Sequence, residues 1–161
     1  MDIELEKYNI RFKYRVSGIA INNNKLLCVK INDNDFFCLP GGHVELNEDS
    51  KEAIIREFKE ETDMNVSIKR LLYVTENFFY SKRVKCHELG LYYLLEFKDK
   101  VDLKDYIKKE QDGTLLEFKW ISINQLDKFK PDFLKQEIIK GLTNNIKHFV
   151  IKNDKIIQKE S

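Results

Sequence analysis

The chain has 161 residues, 42% hydrophobic and 34% charged, which suits one domain with a full core and excludes an intrinsically disordered chain. Its 28 basic residues nearly balance 27 acidic ones, and a formal net charge of +1 excludes nucleic-acid or membrane-surface binding driven by bulk charge. No apolar run reaches membrane-spanning length and the acidic opening MDIELEKYNI is no signal peptide, so a cytoplasmic protein is expected.

In chain order, VSGIAI (16–21) and KLLCVKI (25–31) are β-rich runs flanking Asn22-Asn23-Asn24, which predicts a hairpin. FFCLP (36–40) reads as a short strand stopped by Pro40-Gly41-Gly42, a breaker cluster that predicts a loop. Asp49-Ser50 offers caps for a helix over 51–62. VSIKRLLYVTENFFY (66–80) and CHELGLYYLLEF (86–97) are rich in β-branched and aromatic residues and predict a long hairpin, with the basic SKRVK at its tip. LLEFKWISI (115–123) predicts another strand, followed by a turn of helix at 125–127. Pro131 opens a last helix that ends near Gly141, and HFVIKNDKIIQ predicts a short hairpin. Strands interrupted by one central helix and followed by one terminal helix predict a mixed sheet with helices on its faces, an α/β (α+β) fold in one domain over 1–161. The three cysteines, Cys28, Cys38 and Cys86, lie in apolar runs without CxxC spacing and read as reduced core thiols.

The central helix carries REFKEE (56–61). At about 100° per residue, Glu57, Glu60 and Glu61 fall on one stripe, beside an arc of Ile54, Ile55 and Phe58 that would pack on the sheet. Arg56 can reach Glu60 one turn on. Crowded carboxylates repel, by a few tenths of a kcal/mol per pair. A hard divalent cation such as Mg²⁺, bridging them to substrate phosphates, would remove that repulsion. Gly41 and Gly42 let the backbone approach such a site, so that a carbonyl there could add a ligand. On REFKEE alone, a solvated acidic helix face is the simpler reading.

The wider spacing points elsewhere. Gly42, five residues, Glu48, seven residues, then Arg56-Glu57-Phe58-Lys59-Glu60-Glu61 and Met64 resembles the Nudix box (42–64) at every charged position. The glycine late in that motif is Asp63 here, a residue that tolerates the left-handed conformation expected at the helix end. LPGGHVE before the box and KWISINQLD near the end of the chain are also similar to the family. The resemblance implies the Nudix fold, a mixed sheet sandwiched between helices. It also implies hydrolysis of a pyrophosphate bond in a nucleoside diphosphate linked to another moiety: a nucleotide, a nucleotide sugar or a dinucleoside polyphosphate. Mg²⁺ or Mn²⁺ would serve as cofactor, with metal-activated water attacking phosphorus.

By positional match, Glu61 is the principal metal ligand, with Glu57, Glu60 and the Gly42 carbonyl beside it. Glu57 is also a candidate base, Arg56 orients the carboxylates, and Glu48 supports them. Such enzymes often place a base or last ligand outside the box, where Glu88 and Glu117 are candidates, with Glu110, Asp112 and Glu45 behind them. Arg15 and Lys30 are candidates for substrate phosphate together with Gly41 and Gly42. Asn77 and Phe79 are candidates for a nucleoside wall. Of the histidines, only His43 lies near the glycine loop, and none has metal-ligand spacing. No proline follows the box as in ADP-ribose hydrolases and no NADH-type signature is present, while Tyr80 lies near where dinucleoside-polyphosphate hydrolases place a tyrosine. A small-molecule partner is expected, with neither membrane nor nucleic acid; homodimers are common among relatives. The alternative is a non-catalytic Nudix domain that senses a nucleotide, although such domains usually lose box carboxylates.

Overall fold

The computed structural model describes residues 1–160. Ten strands and two helices follow in the order β1 (Glu4–Lys7), β2 (Ile10–Asn22), β3 (Lys25–Ile31), β4 (Gly41–His43), α1 (Ser50–Thr62), β5 (Val66–Ser81), β6 (Val84–Phe97), β7 (Tyr106–Lys109), β8 (Leu115–Ser122), α2 (Asp132–Lys140), β9 (Lys147–Lys152) and β10 (Lys155–Glu160). The strand order is β10-β9-β5-β6-β2-β3-β8-β7, with β1 and β4 attached to β2. β2 runs parallel to β6 and β5 parallel to β9, so the sheet is mixed.

Tight two-residue turns set the hairpin registers. Asn23 and Asn24 both have positive φ (50° and 61°), as do Lys82 and Arg83, and Asn153 and Asp154. This is the backbone hand that matches strand twist, and asparagine and aspartate reach it at low cost. The expected hairpins at 16–31, 66–97 and the C-terminus are all present.

Alternation along the strands divides the core into two layers. Val16, Ala20, Leu27, Val29, Tyr93 and Leu95 pack with Ala53, Ile54 and Phe58 of α1. Ile19, Leu26, Cys28, Tyr73 and Tyr92 pack with Phe133, Leu134 and Ile138 of α2 on the other face. The sheet is thus sandwiched between the helices, as expected. Among the described residues, no helix is long and apolar enough to cross a membrane.

Several local expectations are corrected. Ile55 is 41% exposed, because it sits just past the arc that α1 buries. Residues 125–127 form no helical turn, since 125–126 are irregular between turns at 123–124 and 127–128, and 36–40 contributes only single bridges, Cys38 to Val29 and Phe37 to Phe129. Gly41 and Gly42 belong to a strand, not a loop. β2 starts at Ile10, six residues before the expected boundary at 16, because β1 and β6 both pair with its polar first half. β1 and β7 are short, charged edge strands whose sequences carry little apolar alternation.

α2 is fastened to the C-terminal hairpin by Glu137, whose side chain is 4% exposed and accepts from Lys147 Nζ at 2.6 Å and Lys159 Nζ at 2.7 Å. Burial works to raise its pKa, but the two ammonium groups outweigh burial and hold the carboxyl below its ordinary range. A carboxyl with a depressed folded-state pKa contributes stability above the unfolded value and loses it as pH falls through the folded one. Glu137→Gln is therefore expected to cost about 2 kcal/mol at pH 7, at the low end because the lysines partly re-solvate. Thermal unfolding should show a Tm about 4–8 °C below the parent. The gap should close in acid, below the ordinary carboxylate range, and a pH-independent gap would contradict this account.

Candidate functional site

β2 and β3 pair only at Ile21–Leu26 and Asn22–Lys25 and then splay apart. The segment 38–43 enters the opening. Cys38 bridges to Val29 of β3, the Gly18 N–H donates to Pro40 O (2.9 Å), and β4 pairs antiparallel with β2 through Ser17–Gly41, Val16–Gly42 and Arg15–His43. Both glycines are required there. Gly41 has φ 155°, and a Cβ on it would lie 2.1 Å from Val16 O. A Cβ on Gly42 would lie 2.2–2.3 Å from the Glu57 carboxyl group. The backbone of β4 therefore rests directly on the helix carboxylate.

α1 reaches this place because both of its ends are defined locally. Asp49 accepts from the N–H groups of Lys51 (2.8 Å) and Glu52 (3.0 Å), and Glu52 accepts in return from the Asp49 N–H (3.1 Å), a complete capping box. Ser50 Oγ lies 2.7 Å from Tyr93 OH and ties the first turn to β6. At the other end Asp63 takes the left-handed conformation (φ 59°), as expected of the residue replacing the family's glycine.

Between these ends, Arg56 organises the acidic stripe. Its guanidinium grips Glu48 with two bonds (Nε 2.7 Å, Nη2 2.9 Å), donates to His43 O (3.1 Å) and to Glu57 (2.9 Å), and reaches Glu60 at 3.4 Å. Glu48 is held below the ordinary carboxylate range by that fork. Burial raises the Glu57 pKa, against Arg56. The Glu61 carboxyl accepts a hydrogen bond from the Gly41 N–H at 3.2 Å. Burial first, and repulsion from Glu57 second, push Glu61 up to about 8. Glu60 is 60% exposed and stands outside this cradle.

The predicted residues thus separate into groups. Arg56, Glu57, Glu61, Gly41 and Gly42 come together where β4 meets α1. Arg15 is near them: its charge acts on Glu57, Glu61 and Cys38, and it joins no ion pair among the described residues. Lys30 and Glu117 face each other across β3 and β8 and pair at 2.6 Å, with Lys119 adding a second bridge to Glu117 at 3.0 Å. Both ammonium groups lie over the Phe37 ring. Glu117 is held below its ordinary range by Lys30 and Lys119, which makes it a poor base. Glu88 and Asn77 are cross-strand partners on β6 and β5, and Phe79 lies opposite Cys86 two residues along.

Sequence reasoning missed two neighbours of Glu61. Cys38 is pushed up to about 11 by burial, so its thiol is neutral and inert. Tyr106 of β7 is raised by burial and then by Glu61, while Lys108 of the same strand donates to Glu60 O. The signal in DYIKK was too short to read as a strand that would cover a helix end.

No cluster of three or more His, Cys, Asp and Glu side chains assembles a cation site among the described residues. The donors present still suit a hard cation that keeps most of its water: two half-buried carboxylates and a backbone brought against one of them where any Cβ would intrude.

The sequence profile of the NUDIX domain matches residues 11–141. The chain belongs to the NUDIX domain family. It is also similar to an ADP-ribose pyrophosphatase from Methanocaldococcus jannaschii, 42% identical over 74 residues, a match spanning 43% of this chain and 44% of that protein. Among solved structures it resembles a mutator MutT protein from Bacillus halodurans (TM-score 0.60, 14% identity, 92% of this chain and 96% of that one). It also resembles a NUDIX hydrolase from Nitrosomonas europaea (TM-score 0.60, 19% identity, 88% and 79%). At these identities the structural likeness is one of fold. The box resemblance seen in the sequence and the sandwiched mixed sheet agree with this membership.

Proposed function

We propose that this NUDIX domain hydrolyses the pyrophosphate bond of a nucleoside diphosphate linked to another moiety, using Mg²⁺ or Mn²⁺. The observation that carries the reading is the cradle at β4, where Gly41 and Gly42 bring the backbone against Glu57 and Glu61 with no room for a side chain. Glu61 and Glu57 would hold the cation with the Gly42 carbonyl, and Glu60 would complete its water shell from the exposed side. When bound, the cation supplies charge neutralisation on the diphosphate and a lowered pKa for attacking water. Arg56 orients Glu57 and opposes the rise that burial gives its pKa, and Glu57 can accept the proton of that water. Arg15, free of ion pairs, offers positive charge to the phosphates. The partial likeness to an ADP-ribose pyrophosphatase supports including ADP-ribose among the substrates despite the missing downstream proline.

The test is product release across nucleoside triphosphates, nucleotide sugars, ADP-ribose and dinucleoside polyphosphates, each with and without Mg²⁺. Metal-dependent release of a nucleoside monophosphate is expected from at least one of them. Tight binding of a nucleotide with no turnover on any would favour the sensor reading instead.

A further inference from the structure

Outside the cradle, the structure holds a groove of about 440 Å³ between β5, β9 and the start of α2, lined by Phe36, Asn77, Tyr80, Pro131 and Phe133 among others. Three aromatic rings, a proline and Ile151 share its walls with the charged side chains of Lys130, Asp132 and Asp154. Phe36 is presented to it by the backbone, since the Phe37 N–H donates to Lys128 O (2.7 Å) and the Lys130 N–H to Phe37 O (2.8 Å), which docks residues 36–38 beside the α2 N-terminus. Asn77 is the amide among these walls. Its Oδ1 is buried and has no hydrogen-bond partner. A buried acceptor left unpaired carries a desolvation cost that nothing within the fold offsets, and such a group calls for an explanation.

The sheet register connects this groove to the diphosphate end. Arg15, Gly90 and Thr75 lie in one row across β2, β6 and β5, while Lys13, Glu88 and Asn77 lie in the next row on the same face. Two strand spacings and a two-residue rise separate Asn77 from Arg15 by roughly 12 Å between Cα atoms. That is on the order of the distance from base edge to terminal phosphate in a nucleoside diphosphate. Gly90, midway, presents bare backbone, with Thr75 Oγ1 only 2.6 Å from where its Cβ would be.

Building on the proposed reading that the substrate is a nucleoside diphosphate derivative, we infer that this groove is the base subsite and that the Asn77 amide selects adenine. An asparagine amide pairs both with the 6-amino donor of adenine and with the adjacent ring-nitrogen acceptor. On the N7 edge that this pairing uses, guanine presents two acceptors, O6 and N7, and leaves Oδ1 without a donor, while uracil has no such edge. Cytosine carries the amino group but has one ring, and it leaves part of the aromatic slot unfilled. Rejection should be strong for an analogue that lacks the amino group, because the buried acceptor is then left unpaired.

The experiment is equilibrium binding by calorimetry, without divalent metal, of adenosine 5′-monophosphate and purine riboside 5′-monophosphate, which lacks only the amino group. The parent protein should bind the first at least ten-fold more tightly. Asn77→Leu should lose at least ten-fold in affinity for adenosine 5′-monophosphate and abolish the difference between the two. Its Tm should not fall, since the substitution deletes an unpaired acceptor. Phe36→Ala should weaken both nucleotides alike. Equal binding of the two nucleotides by the parent, no binding of either, or an unchanged affinity in Asn77→Leu each overturns the assignment. Amino-dependent binding without turnover on any diphosphate would sustain the subsite while removing the hydrolase reading. Turnover of adenosine substrates with unchanged kcat/KM in Asn77→Leu would do the reverse.

Discussion

Glu61→Gln is expected to abolish turnover while leaving the fold intact. Glu61 is the most deeply placed carboxylate of the cradle, and its one bond from the protein, the Gly41 N–H, can be kept by an amide oxygen. What the amide cannot supply is the charge that holds a cation. Loss of a metal's contribution, worth several kcal/mol of transition-state stabilisation, corresponds to a fall in kcat/KM of about a thousand-fold. Stability should hold or rise, because the parent carboxylate is disfavoured by burial and by its proximity to Glu57. Steady-state rates at increasing Mg²⁺, read beside thermal melts, test both halves. An unchanged rate at saturating metal would remove Glu61 from the metal assignment.

Arg56→Lys should damage both the site and the fold, a pattern that separates it from Glu61→Gln. The guanidinium serves Glu48, Glu57, Glu60 and the His43 carbonyl at once, with a two-pronged grip on Glu48. A lysine ammonium keeps the charge but lacks the planar fork that satisfies several acceptors in fixed directions. Leaving the half-buried Glu48 and Glu57 with fewer partners should cost about 2–3 kcal/mol, or roughly 4–12 °C in Tm. Turnover should fall about ten- to a hundred-fold as Glu57 and Glu61 lose their orientation. A variant with parent-like Tm and reduced rate would show that Arg56 acts on the chemistry and contributes little to holding the helix against β4.

Much of the cradle was legible because it is local. Asp49 and Glu52 cap α1 within one turn, the 3.6-residue period places Glu57 and Glu61 one turn apart, and Asp63 ends the helix by its own backbone preference. Ile55 marks the limit of that reasoning: periodicity defines an apolar arc but not how wide a strip the sheet will cover. The strand pairs joined by two-residue turns were legible for the same reason, since the turn residues and both strands adjoin in the chain.

The partners of the site outside the box were not legible, because they depend on contacts between distant segments. Lys30 and Glu117 each carry a charge suited to catalysis, yet antiparallel pairing of β3 with β8 places them opposite one another, where they neutralise each other. Arg15 stays free because its antiparallel neighbour on β4 is His43 and its parallel neighbour on β6 is Gly90, neither of them a carboxylate. The chain by itself determined the helix, its caps and the row of carboxylates, all set by interactions within about four residues. Only the tertiary structure decided that β2 and β3 part, that β4 enters the gap with bare backbone against Glu57, and that Phe36 and Asn77 share a groove. Those outcomes follow from strand register, and register is a property of pairs of segments that no single segment encodes.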